Sequence, residues 1–135
     1  MRNIFPLVFI GLIFLTCWTS WNCEETITGG SADIVFPDSN VSYGRHVEPL
    51  FIRTCAFSPC HSHDAMADGL SLENYQDAIS SKSGVILPGD TTNSRLIWRI
   101  EGKHNTVQMP LNRPALTDNQ KRGLKIWILE NARNN

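Results

Sequence analysis

The chain has 135 residues, 41% of them hydrophobic and 19% charged, with a formal net charge of -1. Those values fit one modest folded domain with an additional segment and exclude a disordered polyelectrolyte. The balanced charge offers no large basic surface, so nucleic acid is excluded as a main partner.

The chain opens with Arg2, an apolar run from Ile4 to Leu15, and then Thr16-Cys17. One cation, a short apolar stretch and a polar exit predict a secretory signal over residues 1–22. The run is short for a bilayer span, although an uncleaved N-terminal anchor is the competing reading. Leu15-Thr16-Cys17 also has the form of a lipoprotein signal, in which a lipidated Cys17 attaches the chain to a membrane. Thr16 is bulkier than the residue usually found there, and Cys23, behind Trp21-Asn22, is the poorer candidate. The expectation is export to the periplasm or cell envelope, an oxidising compartment where cysteines pair or carry a cofactor. Residues 23–41 carry Thr28-Gly29-Gly30-Ser31 and Phe36-Pro37-Asp38, and predict a flexible tether on which Ile34-Val35-Phe36 can dock.

The domain proper is expected over 42–135 and is all-α, a bundle of about four short helices with long loops. Val47, Leu50 and Phe51 fall at helical spacing in a first helix spanning Tyr43 to Thr54. Ser71 is placed to cap a second, with Leu72, Tyr75, Ala78 and Ile79 on its inner face. An apolar loop, Gly84 to Asp90, precedes a third helix capped by Ser94 and stopped by Gly102, with Leu96, Ile97 and Ile100 inward. After a loop from Lys103 to Leu116, Thr117-Asp118-Asn119-Gln120 has capping-box spacing and opens the last helix. Leu124, Trp127 and Ile128 are its buried stripe, and Gly123 predicts close approach of another backbone. Helices this short bury little apolar area, and loops this long are uncommon without a function. A large apolar cofactor at the centre resolves both difficulties.

The stretch with most chemical information is Cys55-Ala56-Phe57-Ser58-Pro59-Cys60-His61. Covalent c-type haem attachment uses C-x-x-C-H: two thiols form thioethers with the vinyl groups, and the adjacent imidazole ligates iron. Here the Cys60-His61 pair is as required, while four residues separate the cysteines instead of two. A methionine sulfur commonly completes such an iron, and raises its potential. Met109, before Pro110 in the long loop, is the candidate, because Met66 lies too near the attachment segment and Met1 is remote.

Other readings stay open for these residues. Cys55 and Cys60 could form a disulfide in a haem-free structural or interaction module at the cell surface. Cys55, Cys60, His61 and His63 have the ligand types of a zinc site, crowded into a short stretch. His104 competes with Met109 as second axial ligand, and Met109 could be a core gap-filler. A haem sensor, in which Met109 leaves and a diatomic gas binds, is a third class. His46 reads as a surface or capping residue, and Asp64, Asp68 and Asp77 as a solvated face. No catalytic triad, carboxylate pair or dinucleotide fingerprint is visible, so no enzymatic activity is expected.

The order of Cys55…Cys60-His61, Gly69-Leu70-Ser71-Leu72, Leu87-Pro88-Gly89-Asp90, Ser94-Arg95-Leu96-Ile97, Met109-Pro110, Leu116-Thr117-Asp118 and Trp127-Ile128 resembles the small cytochrome c-like domains of planctomycetes and related bacteria. The resemblance implies one covalent haem c, thioethers at Cys55 and Cys60, iron ligated by His61 and Met109, and electron transfer with redox protein partners. It also implies a bundle whose first and last helices cross, with Gly44 or Gly123, Phe51 and Trp127 at the crossing.

Overall fold

The computed structural model describes residues 33–135. The signal expected over 1–22, with Cys17 and Cys23, lies outside the described residues. Among those described there are four α-helices and no strand: α1 (Glu48–Thr54), α2 (Tyr75–Ser80), α3 (Arg95–Glu101) and α4 (Asp118–Leu129). None of these helices is long and apolar enough to cross a membrane.

The first predicted helix forms over its expected span, as a wide π-type turn at Tyr43–Val47 running into α1. Ser42 accepts from the Arg45 N–H at its start, and His46 Nδ1 accepts the Ser42 N–H at 3.0 Å, a local cap. At α4 both halves of the predicted capping box are present, Thr117 taking the Gln120 N–H and Gln120 the Thr117 N–H. Gly102, at φ 64, ends α3 in the left-handed conformation that a side chain would disfavour.

Two caps differ from expectation. The second helix begins at Tyr75 under Asn74, whose side chain accepts the Asp77 N–H. Ser71 is fully buried instead, and its hydroxyl donates to Asp77 Oδ2 at 2.9 Å. Ser94 does stand at the head of α3, but its hydroxyl turns back into the preceding loop. There it donates to the Asp90 carbonyl at 2.6 Å and receives the Leu87 N–H at 2.8 Å.

The core away from the site is aromatic. Trp127, wholly buried, meets Phe51 of α1 edge-on at 6.4 Å and leans on Tyr43 at 5.7 Å. Its indole N–H donates to the Arg133 carbonyl at 3.0 Å. Edge-to-face pairs of this kind add about 0.5–1.5 kcal/mol each beyond the area they bury. Thus α1 and α4 meet through Phe51 and Trp127, the two aromatics expected there. The two glycines do other work. Gly44 donates its N–H to the Asn135 carbonyl at 3.1 Å. A β-carbon on Gly123 would lie 2.1 Å from Phe36 Cγ, so α4 is notched for a side chain and not for a backbone.

Phe36 comes from the segment expected to be a flexible tether. From Ile34 to Val41 that segment is a strap laid along α4. Phe36 and Asn119 exchange two hydrogen bonds at 2.8 and 3.0 Å. At the far end, the Asn40 and Val41 N–H groups donate to the Glu130 carboxylate at 2.6 and 2.9 Å. Phe36 and Val41 are buried, which holds the strap down by the hydrophobic effect.

Candidate functional site

Between α1, α3 and the two long loops lies a cavity of about 590 Å³. That is the size of a small-molecule or cofactor site, and its walls are mainly apolar, with Leu70, Leu72, Val85, Leu96, Ile100 and Leu116 among them. Cys55, Cys60, His61 and Met109 all line it.

The attachment segment is folded by its own backbone. The His61 N–H donates to the Cys55 carbonyl at 3.0 Å, Cys60 N–H to Phe57 at 2.6 Å, and Ala67 N–H to Cys60 at 2.9 Å. These bonds close the longer loop between the cysteines, so the two extra residues are absorbed while both thiols stay on the cavity wall. His61 Nδ1 lies 3.3 Å from the Leu70 carbonyl, and the Leu72 N–H donates to the His61 carbonyl at 2.8 Å. A carbonyl only accepts, so Nδ1 carries the proton and Nε2 keeps its lone pair for a metal.

Cys55 and Cys60 are free thiols, so the disulfide of the competing reading is not formed. Thr54 Oγ1 donates to the Leu50 carbonyl at 2.5 Å and stands 3.1 Å from Cys55 Sγ. The one hydroxyl proton being committed to Leu50, the Cys55 S–H is the donor to Thr54. Burial pushes the Cys55 thiol up to about 11. A protonated thiol is a poor partner for disulfide formation, which needs thiolate.

Met109 is placed by α3. A helix leaves its last carbonyls without partners, and here the loop supplies them. The Lys103 N–H and Thr106 hydroxyl reach the Trp98 carbonyl at 2.9 and 3.3 Å. The Met109 N–H reaches Arg99 at 2.8 Å, and Gln108 Nε2 reaches Ile100 at 3.2 Å. His104 is not brought to the cavity; its ring packs on Trp98 at 4.4 Å, beside a separate small pocket. Met66 is exposed and also stands outside the cavity wall. Nor is the zinc set assembled: among the described residues no three of His, Cys, Asp and Glu gather for a metal. His63 faces Asp77 instead, at 3.3 Å.

Four cations also line the cavity, Lys82, Arg95, Arg99 and Arg113, against a single acid, Asp68. Sequence reasoning passed over them as binding residues. The available signal was Arg95 and Arg99, one helical turn apart on the face that carries Leu96 and Ile100. Arg113 sits 4.4 Å above the Phe57 ring, joining the Met109 loop to the attachment segment.

An all-α domain with thiols, an imidazole and a thioether around one apolar cavity has the composition of a cytochrome c-like domain. Residues 58–111 match the family model described as planctomycete cytochrome C, a match that supports a planctomycete-type cytochrome c-like domain there. The match takes in Cys60, His61 and Met109, and leaves Cys55 and α4 outside it. Comparison with curated proteins and with solved structures finds no match. Such families carry haem c, and the residues present fit it: the cavity is large and apolar, both thiols are free, and His61 has its second nitrogen available.

Proposed function

We propose that the chain is an exported one-electron carrier holding one haem c, with thioethers at Cys55 and Cys60 and iron ligated by His61 and Met109. The observation that carries this reading is the convergence of those four side chains on one apolar cavity, with His61 Nδ1 tied to Leu70. The haem supplies Fe(III)/Fe(II) exchange. The chain supplies the rest: Leu70 orients the imidazole, the α3 carbonyls hold the Met109 loop, and the apolar wall excludes water, which with a sulfur ligand favours the reduced state. With His61 and Met109 both holding the iron, no position on it would be left for a substrate. The function is transfer to and from redox proteins, not catalysis. Its place is the periplasm or cell envelope, with membrane attachment through Cys17.

The test is to produce the full chain in a host that matures c-type cytochromes. Haem that resists acid-acetone extraction, a sharp α-band on reduction and a mass increased by one haem are expected. Colourless protein at the bare polypeptide mass would overturn the reading. Carbon monoxide binding by the native reduced protein would replace it with the gas-sensor reading.

A further inference from the structure

The cavity wall has a charge that its thiols, imidazole and thioether do not explain. The chain as a whole is -1, yet four cations and one acid face this space. Cations beside an apolar cavity lose hydration when a large apolar body fills it, so each then requires an anionic partner. Lys82 has one already, Asp68 at 2.6 Å. Arg95 and Arg99 do not. Arg95 gives one nitrogen to the Ser83 carbonyl at 2.7 Å, and Arg99 one to Val107 at 3.5 Å. A guanidinium has five N–H donors, and among the described residues neither arginine meets a carboxylate.

The four cations fall into two groups. Arg113 belongs to the cysteine end: it stacks on Phe57, and its charge is felt at Cys55. Lys82, Arg95 and Arg99 gather elsewhere, all three acting on Asp68. A ligand suited to these walls is a flat apolar body that reacts with thiols at one edge and carries carboxylates at another. The haem of the proposed function has that distribution, vinyl groups on one side and two propionates on the other.

Resting on that reading, we propose that Arg95 and Arg99, with Lys82 beside them, form a carboxylate subsite on the cavity wall that receives the haem propionates. The planar guanidinium fork matches a carboxylate bidentately, which an ammonium cannot do, so the two arginines are the principal contacts. Their spacing of one turn on α3 presents two forks to two carboxylates. Lys82 is shared between Asp68 and this group. Because α3 also holds Met109 through the Arg99 carbonyl, one helix carries both the anion contacts and the distal loop.

The experiment uses the matured protein and its Arg95→Gln, Arg99→Gln, Arg95→Lys and Arg99→Lys variants, with Arg122→Gln as a control on the outer face of α4. Midpoint potentials and redox-difference infrared spectra of the carboxylate region are recorded at pH 8. Each Gln variant removes a cation that favours the reduced iron. The reduction equilibrium is expected to fall on the order of tenfold, ~59 mV for one electron, with a shifted propionate band. The Lys variants, which keep the charge, are expected near the wild-type potential but with an altered band, and Arg122→Gln is expected to change neither. If the Gln variants load haem covalently and match wild type in both readouts, the subsite is refuted while the cytochrome reading stands. A Lys variant as low in potential as its Gln counterpart also refutes it. If no variant, and not the parent, carries haem, it is the cytochrome reading that fails.

Discussion

On the His61 side of the cavity the backbone closes on itself. Cys55, Phe57 and Cys60 carbonyls are all taken by N–H groups from within the same short segment, and Leu70 takes the His61 ring. On the Met109 side the loop has little structure of its own, and hangs from the final carbonyls of α3. Val107 and Leu111, on either side of Met109, are exposed, whereas Leu70 and Leu72 behind His61 are buried. Under the proposed function, His61 is then the ligand that is built in and Met109 the one that is held on. An imidazole fixed within a self-bonded loop resists displacement, and a sulfur on a suspended loop can be exchanged at lower cost.

Four experiments can break or sharpen this contrast. The largest effect is expected from His61→Ala, which should abolish stable haem incorporation, read as loss of covalent haem by mass and visible spectrum. Met109→Ala should keep the covalent haem but lose the sulfur–iron absorption near the red end of the spectrum, with a lower midpoint potential. Equal haem loss in both variants would erase the distinction between the walls. The third concerns the haem-free chain, where folding raises the Cys55 thiol from 9.0 to about 11. The folded state therefore holds that proton more tightly, and the resulting stability is complete below pH 9 and lost as pH climbs to 11. The loss should be about 3 kcal/mol by urea unfolding, and absent in Cys55→Ser. The smallest effect is Gln108→Ala, which removes one bond from the loop to Ile100. It should loosen Met109 by about 1 kcal/mol, seen as a roughly fivefold gain in affinity for added imidazole, with unchanged covalent loading.

What could be read from the sequence was whatever is local. The capping box at Thr117 and Gln120 spans three residues, and Gly102 ends α3 through its own backbone freedom. Cys60-His61 is adjacent in sequence, so its chemistry was visible without a fold. The misreadings share a cause in long-range packing. Ser71 has the residue type of a cap, but the interior claims it, leaving Asn74 to head α2. Gly123 signalled a close approach, yet its partner, Phe36, comes from the far end of the domain. The cations were overlooked because Lys82, the Arg95–Arg99 pair of α3 and Arg113 come from three separate segments and converge only once the loops wrap the cavity.

The strap along α4 also sets how far the domain can travel. Under the proposed lipidation of Cys17, a domain free up to Ser42 could wander ~85 Å from its anchor, at about 3.4 Å per extended residue. Phe36 seated in the Gly123 notch and Ile34 against Gln120 hold the chain to the domain from Ile34 onward. The leash then shortens to at most ~60 Å. Any membrane-bound donor or acceptor must lie inside that smaller radius, and cutting the side chain of Phe36 would widen it.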